Sequence, residues 1–526
     1  MPDIKDRIKH VVVLMLENRS FDHMLAGTTF AAKVEQATTK DSNSGLDGKP
    51  VFVSFDGSDE IKAGPDHAHL GVMWQLLGKK PSKKPPYFAK PYKVTNSGFI
   101  TSFDDEAARH KQPNYGKQIM KCQPPANVPV LSTLAKEFAV FDHWFSSVPG
   151  ETWPNRNYAH SGTSDGTDNI VKRWYDNPTI FGTVMNAKKD YRVYTDGIPQ
   201  CLVFRDLWLD KLIRGRFRDY NERFANDVAA GDLPEYVFIE PRHFGKSANS
   251  QHPDNPANKR SFHAGEALIK STYDALTSNK AIWNSTLFVV TYDEHGGFYD
   301  HVLPPTDAVR PDKKVSPEGF EFDMLGVRVP AVLISPWIAK GSVDQRPYDH
   351  SSIPHSVREL FAPKAKPLSD REAVSNTFWT SGIWLTKART DIPLVAVAPQ
   401  GLKAMSTVKP LSLLAAEKGS PATPGELPEQ EEPWAWLAFN VAETIRRGEQ
   451  GQKAGLAMAS WEGTAGRLIT KESDLAIQRK SMVAGPPPIV ITDSDKLAAF
   501  GNDVQKMLEA TAEEAPVPKR PKAKRR

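Results

Sequence analysis

Leu287-Phe288-Val289-Val290 is a short run of β-branched and bulky apolar residues that suits a strand buried on both faces. The residues after it constrain the chain most, because Thr291 to His301 reads TYDEHGGFYDH. A buried strand ending in Asp293 and Glu294 delivers two carboxylates to its carboxyl end, where open α/β sheets place their chemistry. His295 and His301 share the stretch, and Gly296-Gly297 lets backbone approach a ligand closely. The set suits a hard metal ion or acid–base work. A strand running out into a solvated turn would use the same Asp and Gly.

Other segments repeat the pattern. His10 to Leu16 is a second strand-like run and ends in Glu17-Asn18-Arg19-Ser20-Phe21-Asp22-His23, so two strands can bring oxygen ligands to one rim; an Asn/Ser/Asp turn opening a helix is the alternative. Gly64-Pro65-Asp66-His67 precedes a helical segment ending near Leu77, and His67 either faces a phosphate or caps local structure. Val130 to Glu137 reads as helix and Phe138 to Phe145 as an interrupted strand. After Pro149-Gly150, Thr152 falls at a helix N-cap with Pro154 in the first turn, a place that favours phosphate but equally a plain cap. Tyr236 to Glu240 predicts a strand, Gln251-His252-Pro253 opens a loop, and a helix begins near Ala264 with Leu268, Ile269, Thr272, Tyr273 and Leu276 on one face. Val329 to Ile334 predicts a further strand, and Tyr348-Asp349-His350 leads into a helix carrying Ile353, Val357, Leu360 and Phe361. Ala26 to Glu60 reads as loops with an edge hairpin. Strands alternating with helices mark an α/β protein.

The chain of 526 residues, 40% hydrophobic and 25% charged, has the length and composition for a large core, which excludes disorder throughout. A net charge of +4 is too small to argue for nucleic acid. Cys122 and Cys201 have no zinc-site spacing and at most one bridge to make. The amino terminus lacks a cleavable signal and no run spans a bilayer, so the chain is expected to be cytoplasmic as synthesised, with signal-independent export open. Residues 1–390 are read as a catalytic domain and 391–526 as an extension. Within the extension, Glu417 to Pro433 forms a linker, Trp434, Leu437, Val441 and Ile445 mark an amphipathic helix, and Lys519 to Arg526 is a basic tail; little chemistry is visible there. Lys79 to Lys84 is a basic loop, solvated by default and secondarily a contact for an anionic membrane surface.

Taken in order, ENRSFDH (Glu17 to His23), TWPNR (Thr152 to Arg156), QHP (Gln251 to Pro253), DEHGGFYDHV (Asp293 to Val302) and GVRVPAVLISPW (Gly326 to Trp337) resemble the phosphoesterases that include non-specific phospholipase C and related acid phosphatases, within the alkaline phosphatase superfamily. The likeness runs over roughly residues 8 to 365. It implies a three-layer α/β/α sandwich of alkaline phosphatase type, a metal held by Glu17, Asn18, Asp293, Glu294 and Thr152, and Thr152 as the nucleophile that becomes phosphorylated. His67, His252 and Asn18 would contact the phosphoryl group, with His295 and His301 lining the site as further catalytic residues. Members commonly read Asp-Pro-x-His where this chain has Gly64-Pro65-Asp66-His67, and their QHPxxHD is interrupted after Pro253, leaving Arg260 and His263 near the second histidine. Secreted members carry an export signal that is missing here.

The expected function is therefore metal-dependent hydrolysis of a phosphate ester. Phospholipase C-type cleavage of phospholipid head groups through a phospho-threonine leads, and acid phosphatase action on small phosphomonoesters follows. A non-catalytic binding protein on the same fold is the reading from a different class. Oxygen ligands favour Ca²⁺, Mg²⁺ or Mn²⁺, with iron and zinc open.

Overall fold

The computed structural model describes residues 3–208, 215–253, 258–395, 431–454, 468–469, 489–491 and 493–513. Eight strands form the central sheet: β1 His10–Leu16, β4 Ala139–Phe141, β5 Tyr191–Thr195, β6 Phe217–Asp219, β7 Tyr236–Glu240, β8 Thr286–Tyr292, β9 Ala331–Ile334 and β10 Ser342–Asp344. Their order is β10-β4-β9-β8-β1-β7-β5-β6. All run in one direction except β9, which is antiparallel to both neighbours. The hairpin β2 Ser42–Ser44 and β3 Pro50–Phe52 stands as a separate two-stranded sheet, not at the edge of the main one.

Near-continuous apolar sequence in the middle strands reflects cover on both faces. Every residue of β8 is buried, as are Val11 to Leu16 of β1. The helices Pro129–Glu137, Asn258–Ser278 and Lys280–Trp283 pack together as one outer layer, and Thr152–Ser161, Ile180–Asn186 and Ser352–Phe361 as the other. The result is a three-layer α/β/α sandwich. The long helix starts six residues before the apolar pattern predicts, yet Leu268, Ile269, Thr272, Tyr273 and Leu276 are its buried face. The strand expected over Phe138 to Phe145 shrinks to Ala139–Phe141, with isolated bridges at Trp144 and Phe145 beyond it, and the Asp142 side chain accepts from the Glu35 amide at 2.8 Å.

Register then positions chemistry. β8, β1 and β7 are neighbours in parallel, with Leu16 opposite Tyr292 and Leu14 opposite Ile239, so Glu17, Glu240 and Asp293 emerge side by side at one edge. The extension packs on this body: Glu432–Ala454 and Ser494–Glu513 pair with each other, the first against the Gln200–Val203 turn and the second against β6. Trp434, Leu437, Val441 and Ile445 are buried. Residues 417–430, Pro486 to Pro488 and the tail 514–526 lie outside the described residues. Among the described residues no helix is long and apolar enough to cross a membrane.

Candidate active site

A cavity of about 1060 Å³ opens at the carboxyl ends of β1, β7 and β8, and Glu17, His67, Thr152, His243, His252 and Trp434 are in its walls. Each is delivered by a different local device. Asn18, next to Glu17, takes a left-handed backbone at φ 58°, which Asn tolerates better than most residues. Its amide donates to Asp293 Oδ1 at 3.1 Å, locking the ends of β1 and β8 together. Gly296 closes the same junction: a Cβ there would sit 2.2 Å from the Asn18 carbonyl oxygen. At Gly297 a Cβ would sit 2.5 Å from Pro65 Cβ. The glycine pair thus admits two neighbouring loops, and the second carries His67 into the pocket.

Thr152 is the first residue of its helix, not the cap; Glu151 holds the N-cap position. The Thr152 hydroxyl is consequently not spent on the helix and donates to Asn18 Oδ1 at 3.3 Å. His252 is aimed by Gln251, itself at φ 73°. Gln251 is held there by Arg19, whose Nη2 donates to its carbonyl at 2.7 Å, and by the Tyr292 hydroxyl, which donates to its Oε1 at 2.5 Å. The rings of His67 and His252 meet edge to face at 5.5 Å.

Beneath the pocket floor lies Arg156, fully buried. Its Nε donates to Asp293 Oδ2 and its Nη1 to Glu240 Oε2, both at 2.9 Å, and Nη2 donates to the Met15 carbonyl at 3.0 Å. Glu17 faces His243, with Nδ1 2.8 Å from Glu17 Oε1 and Nε2 3.0 Å from Glu240 Oε1. Burial works to raise the Glu17 pKa, but His243, with His252 and Arg156, outweighs it and holds the carboxyl at about 2. Burial pushes Asp293 up to about 6, assisted by Glu17 and opposed by Arg156. Burial also drives Glu294 well above the carboxylate range, with Asp293 adding to it.

The donor chemistry here suits a metal: Glu17 Oε2 and Glu294 Oε1 are buried without a hydrogen-bond partner, and unsatisfied buried oxygens are costly unless something positive meets them. Glu17, Asp293 and Glu240 share Arg156 and His243 as their positive partners, and a hard divalent cation would favour the ionised form of Asp293 and Glu294, which burial opposes.

Two expected catalytic histidines stand elsewhere. His295 is 1% exposed and sits behind Glu294, with Nδ1 3.3 Å from Glu294 Oε2 and Nε2 2.8 Å from Gln75 Oε1. Burial, with help from His67, lowers its pKa to about 3, so it stays neutral. The turn at Gly296 sends His301 to a separate cluster, where its Nδ1 is 2.6 Å from Asp22 Oδ2. Asp22, Asp300 and His301 could hold a cation, but Arg328 already pairs with Asp300 at 2.9 Å and with Asp22 at 3.2 Å. His263 pairs with Asp59 at 2.7 Å and is absent from the pocket walls. Arg156, Glu240, His243, His350 and Trp434 are not among the site residues expected from sequence. Arg156 carries a signal as the last residue of TWPNR, and Glu240, His350 and Trp434 are legible only as the end of a strand, the start of a helix and part of an amphipathic face; His350 reaches the Asp293 carbonyl at 2.5 Å from far along the chain.

Against known proteins, residues 8–362 match the Phosphoesterase family. Non-specific phospholipase C6 of Arabidopsis thaliana is 37% identical over 414 residues, covering 74% of this chain and 76% of the relative. The non-hemolytic phospholipase C of Burkholderia pseudomallei is 26% identical, covering 67% of this chain and 55% of its own length. Among solved structures, a protein in the alkaline phosphatase superfamily from Vibrio parahaemolyticus aligns with TM-score 0.28 at 14% identity, over 47% of this chain and 64% of that one.

Proposed function

The chain belongs to the phosphoesterase family and is a phosphoric ester hydrolase, and from that premise we propose that it cleaves phospholipids in the phospholipase C manner, with Thr152 as nucleophile. The observation that carries this reading is the meeting of Thr152, Glu17, His67 and His252 in the walls of one cavity, with Asn18 accepting from the Thr152 hydroxyl behind it and buried oxygens of Glu17 and Glu294 lacking partners. The relatives' names as phospholipases C support the choice of substrate.

In the proposed reaction the Thr152 oxygen attacks phosphorus and gives its proton to one of His67 and His252, while the other, protonated, gives a proton to the departing diacylglycerol oxygen. Water then attacks the phospho-threonine, releasing the phosphorylated head group and restoring the hydroxyl. Asn18 orients the Thr152 oxygen, and amides at the helix amino terminus face the phosphoryl oxygens. Glu17, Asn18, Asp293 and Glu294 are the groups that would hold a divalent cation, with Ca²⁺, Mg²⁺ or Mn²⁺ matching the oxygen donors. When bound, such a cation offsets negative charge and lowers the pKa of a coordinated hydroxyl. His243 and Arg156 hold the Glu17 carboxyl ionised, and Arg156 orients Asp293.

Short-chain phosphatidylcholine and a chromogenic phosphomonoester, each assayed with a panel of divalent metals, test the proposal. Diacylglycerol and phosphocholine should appear, with the monoester turned over more slowly. Preference for the monoester would make the protein an acid phosphatase, and turnover of neither would favour a binding role. Glu17→Ala and Asp293→Ala should lose both metal retention and activity; stoichiometric metal in either variant would remove that residue from the ligand set.

A further inference from the structure

The residue that closes the pocket beside Glu17 comes from the extension. Trp434 lies in the third position of the Glu432–Ala454 helix, well beyond residues 8–362. Its ring stacks on His243 with centroids 4.0 Å apart and planes 21° from parallel. It also meets Trp153, the neighbour of Thr152, edge-on at 5.8 Å, and Phe244 at 5.9 Å.

The docking is fixed from several sides. Glu431 Oε1 accepts from the Ser494 hydroxyl at 2.9 Å, tying the starts of the two extension helices together. Lys246, in the loop that carries His243, pairs with Asp495 at 2.8 Å. Gly245 in that loop has φ 77°, and a Cβ there would sit 3.0 Å from Ala498 Cβ and 3.2 Å from the Ser494 carbonyl. The loop after β7 is therefore built for close approach by the extension.

From this geometry we infer that Trp434 is a positioning residue for the active site: it holds the plane of His243, and through His243 the Glu17 carboxylate. The inference rests on the reading of Glu17 as a metal-site residue. Both ring nitrogens of His243 lie within 3.0 Å of carboxylate oxygens, of Glu17 at Nδ1 and Glu240 at Nε2, and these contacts at the edge of the ring leave its faces to be held by something else. A flat indole against one face supplies that hold. Supports of this kind, one step behind a ligand, typically alter metal affinity or activity by about 10–100-fold when removed.

The test compares Trp434→Phe, which keeps a flat ring, with Trp434→Leu, which keeps apolar volume without one, in the full-length chain. Turnover of short-chain phosphatidylcholine should fall about tenfold in kcat for Leu, with KM held within about threefold, while Phe stays within about threefold of the native enzyme. A second readout needs no turnover: the rate at which diethyl pyrocarbonate modifies His243, followed by mass spectrometry, should rise in the Leu variant and not in Phe. Equal kcat and equal His243 modification in Leu and Phe would overturn the inference. If the native protein hydrolyses no ester, the site reading fails, and the modification rates alone decide whether Trp434 holds His243. Should Leu not fold, Lys246→Ala combined with Ser494→Ala loosens the docking from the surface. Lowered kcat with faster His243 modification in that double variant supports the inference, and native behaviour overturns it.

Discussion

Two residues carry the sharpest expectations. The Thr152 hydroxyl is ordinarily far too weakly acidic to attack phosphorus at neutral pH, and its contact with Asn18 rather than with its own helix leaves it available for activation. Thr152→Ala should lower kcat by about two orders of magnitude or more with substrate binding nearly retained, as expected when only a transition-state interaction is lost. Thr152→Ser should keep substantial activity, and rapid quenching with labelled substrate should trap phosphate on the native chain but not on the Ala variant. Near-normal turnover by the Ala variant would return Thr152 to a structural role. His301 gives a pH expectation. Burial lowers its pKa, but the hydrogen bond and charge of Asp22, with Asp300, outweigh that and raise it to about 9 from an ordinary 6.5. A histidine with a raised folded-state pKa stabilises fully below the unfolded value, and that stability is lost as pH climbs through the folded value. Between pH 6.5 and 9 the native protein should therefore lose more melting temperature than His301→Gln. Parallel curves would show that the pair with Asp22 contributes nothing measurable.

Among the elements, β1, β7 and β8 were readable in advance because each is an apolar run stopped by carboxylates, a pattern set by burial on both faces and abrupt emergence at the rim. The short strands Tyr191–Thr195, Phe217–Asp219 and Ser342–Asp344 were not, since three to five mixed residues have no period of their own and become strands only by pairing with neighbours. The candidate site divides the same way. Glu17, Asn18, Thr152, Asp293 and Glu294 sit at element ends that sequence marks out. His243 and Trp434 depend on two elements nearly two hundred residues apart meeting in space, which no local pattern encodes. His295 and His301 share one legible stretch, but a left-handed glycine turn decides which way each points. Arg156 joins the elements: one guanidinium reaches the ends of β1, β7 and β8. Removing it leaves Asp293 buried without its countercharge and Glu240 with His243 alone, a loss of about 3–5 kcal/mol when one partner of a buried pair is taken away. Chemical denaturation of Arg156→Met should report a stability loss of that order, and a change below about 1 kcal/mol would mean the three strand ends are held by other bonds.

At the scale of the whole molecule, phospholipid cleavage as proposed would need the cavity to meet a lipid surface, and charge is the lever through which that can be tested. A net charge of +4 over 526 residues is weak as a global attraction, so any preference for anionic lipid has to come from local clusters. One lies in the Lys79 to Lys84 loop. It follows the His69–Leu77 helix, whose amino-terminal approach carries His67 into the cavity. Lys80 is engaged by Asp105 at 2.6 Å and lies over the Trp74 ring, while Lys79, Lys83 and Lys84 are exposed. Exposed lysines near an anionic surface contribute about 1 kcal/mol each, within a Debye length of about 10 Å at 0.1 M salt. Reversing Lys83 and Lys84 to Glu should weaken binding to phosphatidylserine-containing vesicles by about tenfold or more in sedimentation at low salt, an effect that fades as salt rises. Hydrolysis of a soluble short-chain ester should be unchanged, because neither residue is in the cavity wall. Deleting residues 516–526, the basic tail, provides the comparison: if that deletion alone abolishes vesicle binding and the loop variant keeps it, the attraction belongs to the tail, and the loop is only a solvated turn.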